Sequence, residues 1–230
     1  MTRLILLPGL LNDDRLWSHQ RTALADVADV SVGDLTRDDS LADMARRILA
    51  GAPPRFALAG LSMGGYVAFE ILRQAPERVE RLALIDTTAH PDGPEQTQRR
   101  KDAIVSARSG GFDRIMPGML PMLLHPDHLA DEAIAGLAKA MAAAVGPEAF
   151  IRQQTAIMHR PDSRPDLPGI GCPCVVVVGR HDTLTPPARA AEMAGAIPAA
   201  KLVVIEECGH LSALEQPQAV SAVLQYWLQT

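Results

Sequence analysis

A glycine-rich turn constrains the fold of this chain more than any other feature of its sequence. Residues 60–65 read GLSMGG, with an apolar stretch before them and a helix-like stretch after them. A strand that turns sharply into a helix around a G-x-S-x-G core is typical of a nucleophile elbow. In such a turn the serine, here Ser62, has a strained backbone and an exposed hydroxyl group. We expect Gly60 and Gly64 to be required because side chains at these positions would collide within the turn.

An acidic residue and a histidine follow the serine in an informative order. The apolar run 174–178 leads to Asp182, and the run 201–205 leads to His210. Open parallel sheets carry their sites just beyond the carboxyl ends of the strands. The order serine, aspartate, histidine differs from the orders found on the chymotrypsin and subtilisin scaffolds. Ser62, Asp182 and His210 are therefore the predicted catalytic residues.

Together with several shorter motifs, these residues resemble the α/β-hydrolase-fold serine hydrolases. The shorter motifs include a Pro-Gly loop after the first strand and an Ala-Pro-Glu-Arg-Val segment before a later one. The matching motifs lie at residues 7–11, 60–65, 75–79, 82–86, 179–182 and 209–210. The resemblance covers nearly the whole chain apart from residues 112–168. It implies the fold more specifically than the reaction, because this fold hosts many chemistries.

Strand-like and helix-like stretches alternate along the chain, which predicts an α/β protein with a parallel sheet covered by helices on both faces. The predicted strands are 3–7, 30–32, 56–59, 81–86, 174–179 and 201–206. Outside residues 112–168, the predicted helices are 14–27, 40–49, 66–72, 94–109, 187–195 and one that begins at Pro217. We expect a roughly six-stranded sheet in the order 2-1-3-4-5-6, without the antiparallel N-terminal hairpin that most family members have. Because an edge strand can pair with a second copy, we expect a monomer or a homodimer.

Residues 112–168 have a different character from the rest of the chain. They are rich in Leu, Met, Ala and Pro, with helix-like stretches at 112–124, 127–145 and 147–159. The resemblance implies a small helical cap here, with residues 1–111 and 169–230 forming the α/β-hydrolase core. Five of the nine methionines lie in the segment, and methionine suits an irregular apolar pocket. The candidate pocket residues are Leu11, Met116, Leu120, Met158 and Leu211.

The residue types predict an acyl-transfer mechanism. A serine hydroxyl needs an adjacent base, which would be His210, and Asp182 would hold the imidazole in the correct tautomer. Asp86 also follows a strand and is an alternative acid, because some relatives carry the acid at that position. The backbone N–H of Met63, directly after the nucleophile, is one predicted oxyanion donor. The resemblance implies that the N–H of Leu10 is the other.

Composition limits the classes of partner. The net charge is −5 and the isoelectric point is about 5.8, so nothing favours nucleic acid or an anionic membrane. No apolar run approaches the roughly 20 residues that span a bilayer. Three cysteines make a disulfide framework improbable, and the histidines show no metal-ligand spacing. We expect a reduced, cytoplasmic protein that acts on a small-molecule ester, with no cofactor and no metal.

The leading functional prediction is a serine carboxylesterase acting on esters of short to medium acyl chains. Residues 112–168 contain few basic residues, which argues against a strongly anionic substrate. The basic residues of this segment are Arg114, Lys139, Arg152, Arg160 and Arg164. Cleavage of a thioester or a carbon–carbon bond on the same triad remains an alternative. A ligand-binding, receptor-like protein with slow turnover is a third possibility, against which the intact triad speaks.

Overall fold

The computed structural model describes all 230 residues, and its central feature is one six-stranded parallel sheet in the order β2-β1-β3-β4-β5-β6. The strands are β1 (Thr2–Leu7), β2 (Ala28–Val32), β3 (Phe56–Leu61), β4 (Val79–Ile85), β5 (Cys174–Gly179) and β6 (Lys201–Ile205). The sheet contains no antiparallel hairpin. The strand number, direction and order predicted from the sequence are confirmed. The short strand β2 lies at an edge, and its pairing with a second copy remains a prediction.

Nine α-helices cover or flank the sheet. They are α1 (Ser18–Ala23), α2 (Leu41–Gly51), α3 (Met63–Gln74), α4 (Pro94–Ser106), α5 (Ile115–Leu123), α6 (Leu137–Met158), α7 (Pro187–Ala196), α8 (Ser212–Glu215) and α9 (Pro217–Gln229). Shorter helical turns are Asp14–Trp17, Pro76–Arg78, Ala107–Gly111, Phe112–Arg114, Pro126–His128, Glu132–Gly136 and Arg164–Gly169.

Two apolar cores form on opposite faces of the sheet, because successive residues of a strand point in opposite directions. In β1, Leu4 and Leu6 belong to one core, whereas Ile5 and Leu7 belong to the other. Every residue of β3 and of β5 is buried. Continuous apolar runs are typical of parallel strands covered on both faces, so the valine run of β5 is explained by this double burial.

Helix starts agree well with the sequence, whereas some ends do not. The Asp43 N–H donates to Ser40 Oγ at 3.1 Å, so Ser40 caps α2 as its sequence pattern predicts. The predicted helix 14–27 is shorter, however, and α1 ends at Ala23. Residues 24–27 form the turn that leads into β2, whose first residue, Ala28, pairs with Thr2 of β1. Tertiary pairing overrides helical propensity here.

Residues 112–168 are helical apart from their connecting turns, and they add no strand to the sheet. The helices predicted at 127–145 and 147–159 merge into α6, which runs to Met158 with an interruption at Gly146. Gly146 has φ 77°, a left-handed conformation that glycine adopts without strain, and Pro147 follows it. The role of this segment as a separate cap remains a prediction.

One apolar helical stretch corrects an expectation from the sequence. Residues Glu132–Met158 are long and apolar enough to cross a membrane, judged by length and composition alone. The mean hydropathy of the decisive 18-residue window is 1.4, and 33% of that window is buried inside the protein. Core helices of soluble proteins meet the same criteria, so a single such helix is weak evidence for a membrane span.

Candidate active site

Ser62 occupies the turn between β3 and α3 in a strained conformation. Its φ is 54° and its ψ is −113°, values that a residue with a side chain rarely adopts. A Cβ atom on Gly60 would overlap the carbonyl oxygen of Gly64, and one on Gly64 would overlap the carbonyl oxygen of Leu7. The predicted need for both glycines is therefore confirmed. Thr87 Oγ1 donates to the Ser62 carbonyl at 2.8 Å and braces the turn.

A chain of hydrogen bonds joins the three predicted catalytic side chains. His210 Nε2 lies 2.8 Å from Ser62 Oγ, and His210 Nδ1 lies 2.8 Å from Asp182 Oδ2. Asp182 is held in turn by the backbone N–H groups of Leu184 and Thr185, each 2.9 Å from its Oδ1. The Thr185 hydroxyl donates to Asp182 Oδ2 at 2.5 Å. The acid and the base are thus oriented toward the serine by contacts that leave little rotational freedom.

The charge of Asp182 favours a His210 imidazole that readily accepts a proton. Burial alone would lower the pKa of His210, but attraction to Asp182 and their hydrogen bond outweigh burial and raise this pKa above its usual value of 6.5. Burial alone would raise the pKa of Asp182. Its attraction to His210 and the hydrogen bonds from His210 and Thr185 lower that pKa instead.

Asp86, the alternative acid, has a different set of partners. It is fully buried and has φ 43°, at the end of β4. Its Oδ1 accepts from the Gly179 N–H at 2.9 Å, and its Oδ2 accepts from the Ser212 N–H at 3.1 Å. Burial, followed by repulsion from Asp182, raises the pKa of Asp86 to about 7. Asp86 therefore links the strand that precedes Asp182 to the helix that follows His210, and it makes no hydrogen bond to the imidazole.

Glu215 is a buried carboxylate that sequence analysis missed. Its Oε1 accepts from the N–H groups of Gly209 and Leu211, the two neighbours of His210, at 3.0 and 3.2 Å. Its Oε2 lies 2.6 Å from the His125 N–H and 2.9 Å from His128 Nδ1. One side chain thus ties the His210 loop to the segment after α5. Glu215 is the last residue of the short helix α8, and no sequence pattern there predicts this role.

Replacing Glu215 with glutamine is expected to lower both thermal stability and turnover. The amide would direct N–H groups at backbone N–H donors, and unsatisfied buried donors cost about 1–3 kcal/mol. For a chain of this size, that cost lowers the melting temperature by roughly 3–10 °C. Calorimetry and ester turnover would measure the two effects. Glu207→Gln, an exposed glutamate of the same loop, is the matched control, and equal behaviour of the two variants would contradict this role.

The two predicted oxyanion donors lie on different elements, Leu10 on the loop after β1 and Met63 at the start of α3. The Leu10 N–H makes no hydrogen bond within the protein. Met63 is the first residue of α3, so its N–H has no acceptor within the helix. Leu11 has φ 61°, and its N–H donates to Gln153 Oε1 at 3.1 Å. The fully buried Gln153 of α6 therefore positions the strained loop, a contact that joins α6 to the site.

A cavity of about 600 Å³ lies over Ser62 and His210. We call its apolar lining residues, of which α5 contributes the most, the apolar wall, and its polar lining residues, several of which come from α4 and α6, the polar wall. The apolar side comprises Leu10, Ala103, Ile115, Met119, Met122, Leu123, Ile157, Leu184 and Leu211. The polar side comprises Asn12, Tyr66, Thr88, Gln96, Arg99, Arg100, Gln154, Arg160, Thr183 and Thr185.

The predicted pocket residues need correction. Leu211 lines the cavity, but Leu11, Met116 and Leu120 are buried in the apolar core, and Met158 lies at the end of α6 away from the cavity. Helical geometry explains the error on α5, because residues one position apart point in different directions. The face with spacing i, i+4, i+7 that lines the cavity begins at Ile115. The face that begins at Met116 packs into the core.

Basic residues contribute more to this cavity than the sequence analysis predicts. The prediction of few basic residues concerns only residues 112–168, but Arg99 and Arg100 belong to α4, outside the segment. Both line the cavity together with Arg160. With three arginines in its lining, the cavity is better suited to an anionic substrate than the sequence predicts. Only the packing of α4 against α6 reveals this, because the residues are about 60 positions apart.

Asn12 is a second residue that sequence analysis missed. Its side chain is 2% exposed and lines the cavity beside the loop that carries Leu10. Neither its Oδ1 nor its Nδ2 has a hydrogen-bonding partner within the protein. Buried polar atoms in proteins are nearly always paired, and Asn12 is the one residue with unpaired buried atoms that also lines the cavity.

The cysteines lie outside this chemistry. All three are unpaired, and burial raises the pKa of Cys174 and of Cys208, which keeps both as thiols. No cluster of three or more His, Cys, Asp or Glu side chains is placed to hold a metal ion. The expectation that no metal or cofactor is required remains a prediction.

The fold of the chain agrees with comparison to known proteins. A model of the alpha/beta hydrolase family matches residues 4–223. The chain belongs to the alpha/beta hydrolase family. It is 29% identical over 188 residues to a pimeloyl-(acyl-carrier protein) methyl ester esterase of Nitrosomonas europaea, a match that covers 78% of this chain and 74% of that protein.

Two solved structures are similar over this entire chain. A thermophilic esterase from Thermogutta terrifontis, solved with malate bound, has a TM-score of 0.91 and 30% identity, and the match covers 90% of that chain. An enol-lactonase from Burkholderia xenovorans LB400 also has a TM-score of 0.91, with 26% identity and 92% of that chain covered. The predicted family resemblance is confirmed.

Proposed function

We propose that this alpha/beta hydrolase is a serine carboxylesterase that cleaves esters of short to medium acyl chains through an acyl-enzyme. The observation that carries the proposal is the hydrogen-bond chain from Ser62 Oγ through His210 to Asp182, with 2.8 Å at each step. A nucleophile, a base and an orienting acid at such distances are what acyl transfer requires.

The proposed reaction has two balanced halves. Ser62 Oγ attacks the ester carbonyl while His210 Nε2 takes its proton, and the oxyanion accepts hydrogen bonds from the N–H groups of Leu10 and Met63. His210 then returns the proton to the leaving alcohol as the bond between carbonyl carbon and alkoxy oxygen breaks. A water molecule, deprotonated by His210, attacks the acyl-enzyme. This releases the acid and regenerates the Ser62 hydroxyl.

The assignment of this chain to the esterase-type hydrolases rests on the family match and on the names of similar proteins. The chain is an esterase-type hydrolase, in keeping with relatives named as a methyl ester esterase, an esterase and an enol-lactonase. These three names share one chemistry, the hydrolysis of a bond between an acyl carbon and oxygen. The triad assignment and the acyl range go beyond these names and are our proposal.

The cavity supports the proposed acyl range. Its volume of about 600 Å³ lies within the span of ordinary small-molecule sites, roughly 300–1,000 Å³. Ile115, Met119 and Met122 offer an apolar surface from α5, and methionine side chains adapt to irregular shapes. An acyl chain of modest length would contact this wall while its carbonyl group reaches Ser62.

Hydrolysis of p-nitrophenyl esters from acetate to decanoate tests the proposal. We expect measurable turnover that peaks at short to medium chains and falls for longer ones, because the apolar wall is of limited extent. Liberated p-nitrophenolate gives the rate directly. Absence of turnover on every ester, combined with labelling of Ser62 by a fluorophosphonate, would refute the ester assignment and favour the thioester, carbon–carbon or receptor-like alternatives.

A further inference from the structure

The polar wall of the cavity carries a concentration of positive charge. Arg99, Arg100 and Arg160 all line the cavity, and no aspartate or glutamate does. One carboxylate lies behind this wall. Asp92, whose side chain is 1% exposed, pairs with Arg100 and with Arg160 at 2.6 Å each. Three guanidinium groups against one carboxylate leave the wall positively charged in a protein whose net charge is −5.

Arg160 is built rigidly into this wall. Arg160 is only 7% exposed, and its guanidinium lies 4.5 Å from the centre of the Tyr66 ring. Tyr66 itself lies one helical turn after Ser62. Its Nε donates to the His90 carbonyl and its Nη1 donates to Asp92. Nη2 makes no hydrogen bond within the protein, so this donor is available to a group in the cavity.

Gln154 presents a second unused donor. It is 4% exposed, and its Oε1 accepts from Arg100 Nη1 at 2.8 Å. Because an arginine only donates hydrogen bonds, this contact fixes the amide with Oε1 toward Arg100 and Nε2 on the other side. The Nε2 group has no acceptor within the protein. Arg99, on the exposed rim, likewise makes no ion pair or hydrogen bond and adds a third donor.

These donors share a chemistry. Unused N–H groups without any acceptor beside them suit an anion, and a guanidinium with a neighbouring amide matches the planar geometry of a carboxylate. We propose that Arg160, Gln154 and Arg99 form a carboxylate-binding subsite, and that the preferred substrates are esters carrying a second, free carboxylate, such as monoesters of dicarboxylic acids. This inference rests on the proposed esterase function and names its substrate class.

The apolar wall is compatible with such a substrate. A monoester of a dicarboxylic acid has a methylene chain between an ester group at Ser62 and a carboxylate at the polar wall. The methylene groups would lie along the α5 side. The subsite therefore acts in specificity, whereas the bond-breaking steps remain with the triad.

The decisive variant is Gln154→Glu, because a carboxylate there still accepts from Arg100 but replaces the Nε2 donor with a repelling oxygen. We compare monomethyl glutarate with methyl pentanoate, which lacks the second carboxylate, by measuring proton release at constant pH. Losing a hydrogen bond to a charged group costs at least about tenfold. We expect Gln154→Glu and Arg99→Gln each to lower kcat/KM for monomethyl glutarate about tenfold more than for methyl pentanoate.

The matched control is Arg108→Gln, an exposed arginine just after α4 that does not line the cavity. It should leave both rates unchanged. Equal losses for both esters in Gln154→Glu and Arg99→Gln would overturn the subsite while leaving the esterase function intact.

A binding experiment separates failure of the subsite from failure of the esterase function. Calorimetry with Ser62→Ala should detect binding of monomethyl glutarate, and the double variant Ser62→Ala, Gln154→Glu should lose most of it. This readout requires no turnover, so it tests the subsite even if no ester is hydrolysed. Binding that is unchanged in the double variant would refute the proposal.

Discussion

Ester hydrolysis falls by a factor on the order of 10⁶ when Ser62 is replaced by alanine, if this residue is the nucleophile. The removed Oγ atom is the one that lies 2.8 Å from His210 Nε2 and would form the acyl-enzyme. Residual catalysis over water would come from the oxyanion donors and substrate binding alone. Turnover of p-nitrophenyl butyrate, with enzyme concentrations high enough to follow slow rates, is the measurement.

The same substitution should leave the fold intact. The Ser62 hydroxyl makes its only hydrogen bond within the protein with His210, so we expect the melting temperature to change by no more than a few degrees. Ser109→Ala, an exposed serine remote from the cavity, is the control for the substitution itself. Loss of fluorophosphonate labelling in Ser62→Ala alone would support the assignment. A variant that still turns over ester at the original rate would contradict it.

Asp182→Asn is expected to lower turnover by a factor on the order of 10⁴, as in the general serine–histidine–aspartate template. An asparagine can keep the contacts from Leu184 and Thr185 but no longer supplies the charge opposite His210 Nδ1. The imidazole then loses both its preferred tautomer and the stabilisation of its protonated form. Measured kcat/KM on a short ester reports the loss.

The pH profile gives an independent signature of this role. His210 must be neutral to accept the serine proton, so kcat/KM rises with pH through the pKa of His210, which Asp182 holds above 6.5. In Asp182→Asn the chief raising influence is gone and burial remains. The midpoint of the acid limb should therefore move to lower pH than in the unmodified enzyme. A midpoint that does not move would contradict the pairing.

Asp86→Asn is the matched comparison for Asp182→Asn. The new amide would face the backbone N–H groups of Gly179 or Ser212. We therefore expect this substitution to lower the free energy of unfolding but to leave the tautomer of His210 unchanged. If Asp86→Asn instead causes the larger loss of turnover at unchanged stability, the acid has been misassigned. Burial and repulsion from Asp182 raise the pKa of Asp86 to about 7, so this residue also ionises in the neutral pH range. Comparing the two variants over the same pH range separates the contributions.

Local sequence rules predicted those parts of the molecule that local chemistry determines. The turn around Ser62 could be recognised because its glycines avoid collisions with atoms a few residues away or on the adjoining strand. The ends of β5 and β6 could be located from short valine-rich runs, which led to Asp182 and His210. Sheet order followed from alternation and family resemblance together.

Features that depend on packing between distant segments could not be predicted in this way. The face of α5 that lines the cavity depends on a helix rotation of about 100° per residue, which an apolar sequence such as IMPGMLPML does not specify. The contact of Gln153 with the Leu11 N–H spans 142 positions. The joint role of Arg99 and Arg160 depends on how α4 packs against α6. None of these leaves a short-range pattern.

The order of the strands along the chain has a consequence for synthesis on the ribosome. The elbow at Ser62 is made early, whereas Asp182 and His210 follow β5 and β6, the last two strands. At usual elongation rates the nascent chain carries its serine without partners for on the order of ten seconds. A serine hydroxyl without an adjacent base is a weak nucleophile. The growing polypeptide is therefore chemically inert toward cellular esters until the final strands join the sheet.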